Sequence, residues 1–494
     1  MGLPPDPLTW IRRNLAALWT DPVFRPLRWA LMLGLVVRLL LAPVTSWSTD
    51  TTGFAIGDIT FVFLGNPYSS GTLFNPPLAA FLQTPIVWVL LLFYPPQSLV
   101  TFAPSLLPAS SAIGPGFISP WVASPAMLLA LKLPLILADS VASLALAWLA
   151  VRVGRRSQAP WVGVAYALNP LAIWVSSVHA EPDGLAALLV ILFIIALSFK
   201  RFPIAGALLG LAVFTKAYPV ILLPIAAGGV LAMGLVHLGG WRQRARGLLE
   251  FSCGIIAASL PFLPYLQFLN AAFGRATPVG DYGGLSVLVL YNSGTPPLDG
   301  FTSLWKRLVP GQFLLLGFEL TAAVTVAMVV LVLLSRSNRW KAKSPHLSVQ
   351  VIGTASLAVV ASLLLAYPAP QPENLLAVVP LGLAVSLWAG TTLSRLTWIL
   401  SLAGFAQYMV FGTPLQGFTP LLLLLGPGSV RAANSIFSTY GSGGYGAPPS
   451  YYWFVPGILA GAALICIWLL AAWWVIPREW REGVRRRLVG QRHS

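Results

Sequence analysis

Long stretches of this chain carry no charge at all: residues 185–199 (LAALLVILFIIALSF), 321–334 and 454–476 are examples. A water-soluble fold would have to bury each of them completely, and a single-domain core does not have room. A bilayer does, because about 20 consecutive apolar residues match its hydrocarbon thickness. Composition agrees: 57% of the residues are hydrophobic and 9% are charged, against roughly 25% charged in a soluble domain. These features exclude a soluble, a disordered and a fibrous protein. The expected fold is an all-α integral membrane protein with many spans.

The few charges are unevenly shared. There are 30 Lys+Arg against 14 Asp+Glu, a formal net charge of +16. Basic loops hold spans in orientation on the cytoplasmic side, so this excess reads as a topology signal and not as a nucleic-acid footprint. The basic clusters fall at Arg12/Arg13/Arg25/Arg28, Arg152/Arg155/Arg156, Lys200/Arg201, Arg242/Arg244/Arg246, Arg336/Arg339/Lys341/Lys343, Arg395 and a tail from Arg478 to Arg492. Placing every cluster inside gives spans at 29–46, 125–150, 161–177, 184–199, 203–216, 218–238, 248–268, 312–334, 347–366, 375–391, 396–412 and 454–476. That is about twelve transmembrane helices with both ends of the chain cytoplasmic. The run 78–94 is apolar but short and contains Pro85. It is expected to re-enter or to lie in the outer interface, the alternative being an extra crossing with a compensating one in 100–120. Three outer loops follow, at 47–124, 269–311 and 413–453, the first carrying short interfacial helices. Cys253 and Cys466 have neither zinc-site nor disulfide-framework spacing. No internal repeat is visible, and GSGGYG at 441–446 lacks the flanking pattern of a nucleotide loop.

Sorting the acids by side is more informative. Seven of the 14 are expected outside: Asp50, Asp58, Glu181, Asp183, Asp281, Asp299 and Glu373. Orientation does not explain them, because Asp and Glu contribute little to it. Carboxylates gathered at one membrane face point to a polar site there. Lys132 and Asp139 are ionisable residues expected within a span, two helical turns apart on one face. Such residues face a cavity or a partner, and both a structural contact and a functional role fit them.

Several motifs then resemble the GT-C membrane glycosyltransferases. Ser48-Thr49-Asp50, Gly65-Asn66-Pro67-Tyr68 and Phe74-Asn75-Pro76-Pro77-Leu78 look like that family's first outer loop, in which an acid follows the first span. Leu131-Lys132 through Ala138-Asp139 is similar to the start of its second span. Asn169-Pro170 with His179-Ala180-Glu181-Pro182-Asp183 resembles the hairpin between spans three and four. Phe214-Thr215-Lys216-Ala217-Tyr218-Pro219 resembles the Lys-containing turn between spans five and six. Pro372-Glu373-Asn374-Leu375-Leu376 stands where the family opens a late span. The chain departs from the family in having Glu181 for a glutamine, and Pro372 and Asn374 for a His and a Lys. The resemblance covers about residues 30–390 in order.

The resemblance implies inverting transfer of a hexose from a polyprenyl-phosphate carrier to a lipid-linked glycan or glycolipid acceptor at the outer face. Inversion needs a carboxylate to take the acceptor proton, and the leaving phosphate needs cations. Asp50 is the candidate base and Asp58 its alternative; both also fit loop acids that cap helices. Lys216, Arg275 and Lys132 are the candidates for the phosphate. Lys216 also fits a snorkelling interfacial lysine, and Arg275 a solvated or headgroup-facing one. His179, Glu181, Asp183, Tyr68 and Glu373 are candidates for holding substrate. A divalent cation at His179, Glu181 and Asp183 is an open alternative, and no metal ligand is assigned. The domain reading is a transferase module over 1–391, C-terminal helices over 392–476 and a basic tail over 477–494. The expected location is a cell membrane, or the endoplasmic reticulum membrane in a eukaryote. The alternatives are a transporter or flippase, which would place ionisable groups and broken spans near the midplane, and a non-catalytic relative.

Overall fold

A computed structural model of the chain describes residues 20–46, 48–69, 76–102, 121–234, 241–265, 345–366, 372–411 and 451–476. Isolated positions at 325–330 and 418–429 and residue 481 are also described. Helices dominate: α1 (Arg25–Leu41), α2 (Ser48–Leu64), α3 (Leu78–Leu91), α4 (Pro125–Arg152), α5 (Ala159–Ala167), α6 (Pro170–Trp174) and α7 (Asp183–Ser198). After these come α8 (Phe202–Val213), α9 (Leu223–Gly234), α10 (Trp241–Ser259), α11 (Pro345–Ala366), α12 (Val379–Ala389), α13 (Thr391–Phe411) and α14 (Tyr451–Val475). One small antiparallel hairpin joins Val100–Phe102 to Trp121–Ala123, with Thr101 opposite Val122.

The helices start where proline chemistry places them. Proline occupies the first turn of α1, α4, α5, α6, α8 and α12, where its missing N–H costs nothing. The Ser124 hydroxyl accepts from Met127 N at 3.3 Å to cap α4, and Asn169 Oδ1 accepts from Ala172 N at 3.0 Å to cap α6.

The outward surfaces carry the membrane signature. On α1, beyond Arg25 at its start, the exposed residues are Trp29, Met32, Leu33, Val36, Leu39 and Leu40. A surface helix in water shows charge there. The inward face buries Leu27, Ala30, Gly34 and Arg38. Trp88 and Val89 of α3, Leu137 and Val141 of α4, and Leu249 and Ile256 of α10 are likewise exposed. This architecture is compatible with an all-α membrane protein.

Helices occupy the described parts of the expected spans, but most are short. Among the described residues two helices are long and apolar enough to cross a membrane, Pro125–Arg152 and Arg242–Tyr265. The bent pair Ala159–Ala167 and Pro170–His179, broken by 43°, makes a third if counted as one. The expected span 312–334 lies outside the described residues apart from 325–327 and 330, as do the loop 269–311 and most of 413–453. Within 47–124, α2 and α3 are substantial helices of 17 and 14 residues. They pack on each other and on α4. The run 78–94 is therefore mainly helix α3.

Three buried contacts lock the bundle. First, Arg38 of α1 meets Asp139 of α4, with Nη2 3.3 Å from Oδ2. The Tyr166 hydroxyl donates to Asp139 Oδ1 at 3.1 Å, and Arg38 Nη1 donates to the Ala167 carbonyl at 2.7 Å. Asp139 thus pairs with Arg38, and its same-face neighbour Lys132 goes elsewhere. Second, Lys132 donates to the carbonyls of Ala42 and Thr45. It closes the C-terminal end of α1, whose last carbonyls have no intrahelical partner. Third, α8 and α10 touch backbone to backbone at Gly206 and Gly254. A Cβ on Gly206 would overlap the Phe251 carbonyl, and one on Gly254 the Pro203 carbonyl. Small residues at Gly206 and Gly210 follow the spacing that membrane helices use for close approach.

Candidate functional site

The charges sort to opposite ends of this bundle. Arg25 and Arg28 begin α1, Arg152 ends α4, Arg201 precedes α8 and Arg395 lies in the first turns of α13. At the other end three turns converge. They are the 175–183 hairpin, the 214–217 turn after α8, and the 372–377 turn before α12.

The hairpin owes its shape to an irregular backbone. After α6 the chain widens into a five-residue π-turn, Val175–His179, a rare form that is frequent at functional sites. Ala180 then takes a left-handed conformation with φ 66. For a residue with a Cβ this costs about 1 kcal/mol or more, which the surrounding contacts must offset. Glu181 N closes the turn on the Val175 carbonyl at 3.2 Å. The result is that His179, Glu181 and Asp183 all point inward and are buried.

Lys216 reaches into this hairpin from the second turn. Its ammonium lies 2.8 Å from Glu181 Oε2 and 3.2 Å from Asp183 Oδ2. The two carboxylates flank the ammonium closely enough to favour its charged form. Lys216 is thus held as a cation. The Asp183 carboxylate is met by the Lys216 ammonium, and among the described residues the Tyr218 hydroxyl has no hydrogen-bond partner.

Glu373 enters from the third turn and is buried. The Tyr408 hydroxyl of α13 donates to Glu373 Oε2 at 2.5 Å and lies 2.8 Å from His179 Nδ1. Burial pushes the Glu373 carboxyl up to about 7; Glu181 and Asp183 add to the rise, and His179 and Lys216 oppose it. A carboxyl near neutrality is suited to exchanging protons at physiological pH.

Of the candidates read from sequence, His179, Glu181, Asp183, Lys216 and Glu373 therefore meet in one cluster. The side chain of Asp50 lies outside the described residues; the next residue, Thr51, donates its hydroxyl to the His179 carbonyl at 2.9 Å. Asp58 is fully buried on α2, with neither carboxyl oxygen hydrogen-bonded. Lys132 serves the end of α1 instead. Tyr68 stands in an aromatic group, its ring centroid 6.3 Å from that of Tyr265. Arg275 lies outside the described residues. Among the described residues no group of three His, Cys, Asp or Glu is placed to hold a metal ion. Between Glu181 and Asp183 the cation is the Lys216 ammonium.

Sequence reading missed Tyr408, Arg38 and Thr51 as partners. Tyr408 carried a usable signal: it follows Gln407 in an otherwise apolar expected span, and polar groups there seek partners. No protein-family model and no curated protein sequence matches the chain.

Proposed function

We propose that this protein is a polytopic membrane glycosyltransferase of the GT-C type, with its site at the end of the bundle where the three turns meet. The reading places about twelve spans in the membrane, both ends of the chain in the cytoplasm and the carboxylate cluster on the outer face. The carrying observation is the convergence of Glu181, Asp183, Lys216 and Glu373 from three separate turns. A transporter reading would put the main polar cluster near mid-span. Here the mid-span charges, Arg38 and Asp139, neutralise each other within protein.

In the proposed reaction an acceptor hydroxyl attacks C1 of a hexose carried on polyprenyl phosphate. The new C1–O bond forms as the C1–O bond to phosphate breaks. The bonding electron pair leaves with the polyprenyl phosphate, and the hydroxyl proton passes to a carboxylate. Asp50 is the base in this scheme; the next residue, Thr51, contacts the hairpin. Glu181, Asp183 and Glu373 supply acceptors for sugar or acceptor hydroxyls. Lys216 is paired with two acids, so its role is to hold the carboxylates in place. A cation for the leaving phosphate then has to come from another residue, and Arg275 is the candidate.

The test is a transfer assay in membranes containing the protein, using a panel of radiolabelled polyprenyl-phosphate hexoses. Label moving from carrier to a lipid acceptor supports the reading. No transfer from any donor, with the protein folded and inserted, overturns it.

A further inference from the structure

We propose that His179 and Tyr408 form a relay through which Glu373 gains and loses its proton. The relay rests on the reading of Glu373 as a site residue, but it is a property of the side chains themselves and is tested without any sugar.

The geometry limits the hydrogen positions. Tyr408 has one proton to donate. At 2.5 Å its contact with Glu373 Oε2 has the length of a hydrogen bond from a hydroxyl to an ionised carboxylate. With that proton committed, the Tyr408 oxygen accepts from His179, and the 2.8 Å contact places the imidazole proton on Nδ1. This is the state with Glu373 ionised. Adding a proton at Nε2 lets two others shift in line. The Nδ1 proton moves to the phenol oxygen, and the phenol proton moves to Glu373. The end state holds one proton more: a neutral carboxylic acid, an intact phenol and an imidazole protonated on Nε2. No net charge stays on Tyr408 or His179, and every proton is accounted for.

The groups acting on Glu373 are His179 from the π-turn, Glu181 and Asp183 from the hairpin, Lys216 from the second turn and Tyr408 from α13. Glu181 and Asp183 are compensated by Lys216. The Tyr408 hydroxyl is a hydrogen-bonded bridge from Glu373 to a second titratable ring. Tyr408 and His179 are thus positioning residues for Glu373. Helix α13, almost all of which falls in the C-terminal segment 392–476 expected from sequence to lie outside the transferase module, supplies one of them.

The experiment follows the carboxyl of Glu373 by infrared difference spectroscopy and His179 by solid-state NMR of 15N-histidine-labelled protein in lipid, between about pH 5 and pH 9. Glu373→Gln identifies the carboxyl band, and His179→Gln identifies one of the four histidines. In wild type, the carboxylic acid band should vanish as pH rises through about 7. Over the same interval His179 should switch from the Nε2–H to the Nδ1–H tautomer. In Tyr408→Phe the two events should separate, and the carboxyl midpoint should rise by about one pH unit, because the ionised form loses its donor. An unchanged His179 tautomer across the wild-type carboxyl titration overturns the relay. So does a Tyr408→Phe midpoint equal to wild type. The wild-type tautomer measurement decides alone if Tyr408→Phe does not fold, and loss of sugar transfer has no bearing on either outcome.

Discussion

The Thr51 hydroxyl donates to the backbone carbonyl of His179 at 2.9 Å, fastening the start of α2 to the strained hairpin that carries Glu181 and Asp183. One residue earlier in the chain is Asp50, the proposed base. Thr51→Val keeps the shape and removes the donor. The expected outcome is a transfer rate lowered about tenfold, since small displacements of a catalytic group are costly, with thermal stability reduced by about 1 kcal/mol. Kinetics and thermal unfolding of the same detergent-purified sample check both.

Lys216→Met should leave Glu181 and Asp183 buried without their cation. Breaking a buried pair in this way costs about 3–5 kcal/mol, and the loss should show as a large fall in unfolding temperature. Glu181→Gln leaves Lys216 paired with Asp183 at 3.2 Å and should cost clearly less. Equal losses for the two variants would contradict the assigned geometry.

The Arg38–Asp139 pair makes a sharper prediction. Arg38→Met and Asp139→Leu should each destabilise by about 3–5 kcal/mol, and the double variant should recover most of the loss, because a buried pair is worth little against apolar packing. A double-mutant cycle read by thermal unfolding distinguishes this from additive losses.

Close helix packing is tested at glycine. Gly206→Ala pushes a methyl into the Phe251 carbonyl, and overpacking of this kind costs about 1–3 kcal/mol. Gly210→Ala, whose Cβ would lie 3.3 Å from the Ile255 carbonyl, should be milder. Unfolding temperatures of the two variants give the order directly.

The Glu373 carboxyl titrates near 7 in the folded protein, above its ordinary 4.5. The folded state therefore holds this proton more tightly than the unfolded chain between those values. Stability from this group should fall as pH rises from about 4.5 to about 7 and level off above. Glu373→Gln should remove that slope. Transfer should show the opposite trend, falling below about pH 7 as the Glu373 acceptor is lost, and the variant should lack that limb.

Much of this was legible in the sequence. Uncharged runs located the helices, because a chain with no other way to bury apolar surface makes them. The acids at Glu181, Asp183 and Glu373 marked the cluster, because orientation does not account for acids. Which cation meets which acid was not legible. Lys132 and Asp139 share a face of α4, yet the true partner of Asp139 is Arg38, 101 residues away in sequence. Lys132 instead answers the open carbonyls at the end of α1. Helix crossings decide such pairs, and spacing along one helix says nothing about them. Two expected spans were drawn through breaks, because hydropathy does not report those at Asn169-Pro170 or after Val213.

The most direct measurement is the rate of label transfer from polyprenyl-phosphate hexose in membranes, wild type against Asp50→Asn. With a donor that the wild type uses, Asp50→Asn should be slower by about 10²-fold or more, the usual effect of removing a positioned base. A variant that is folded, inserted and as fast as wild type would contradict the assignment of Asp50 as the base and the site built around it.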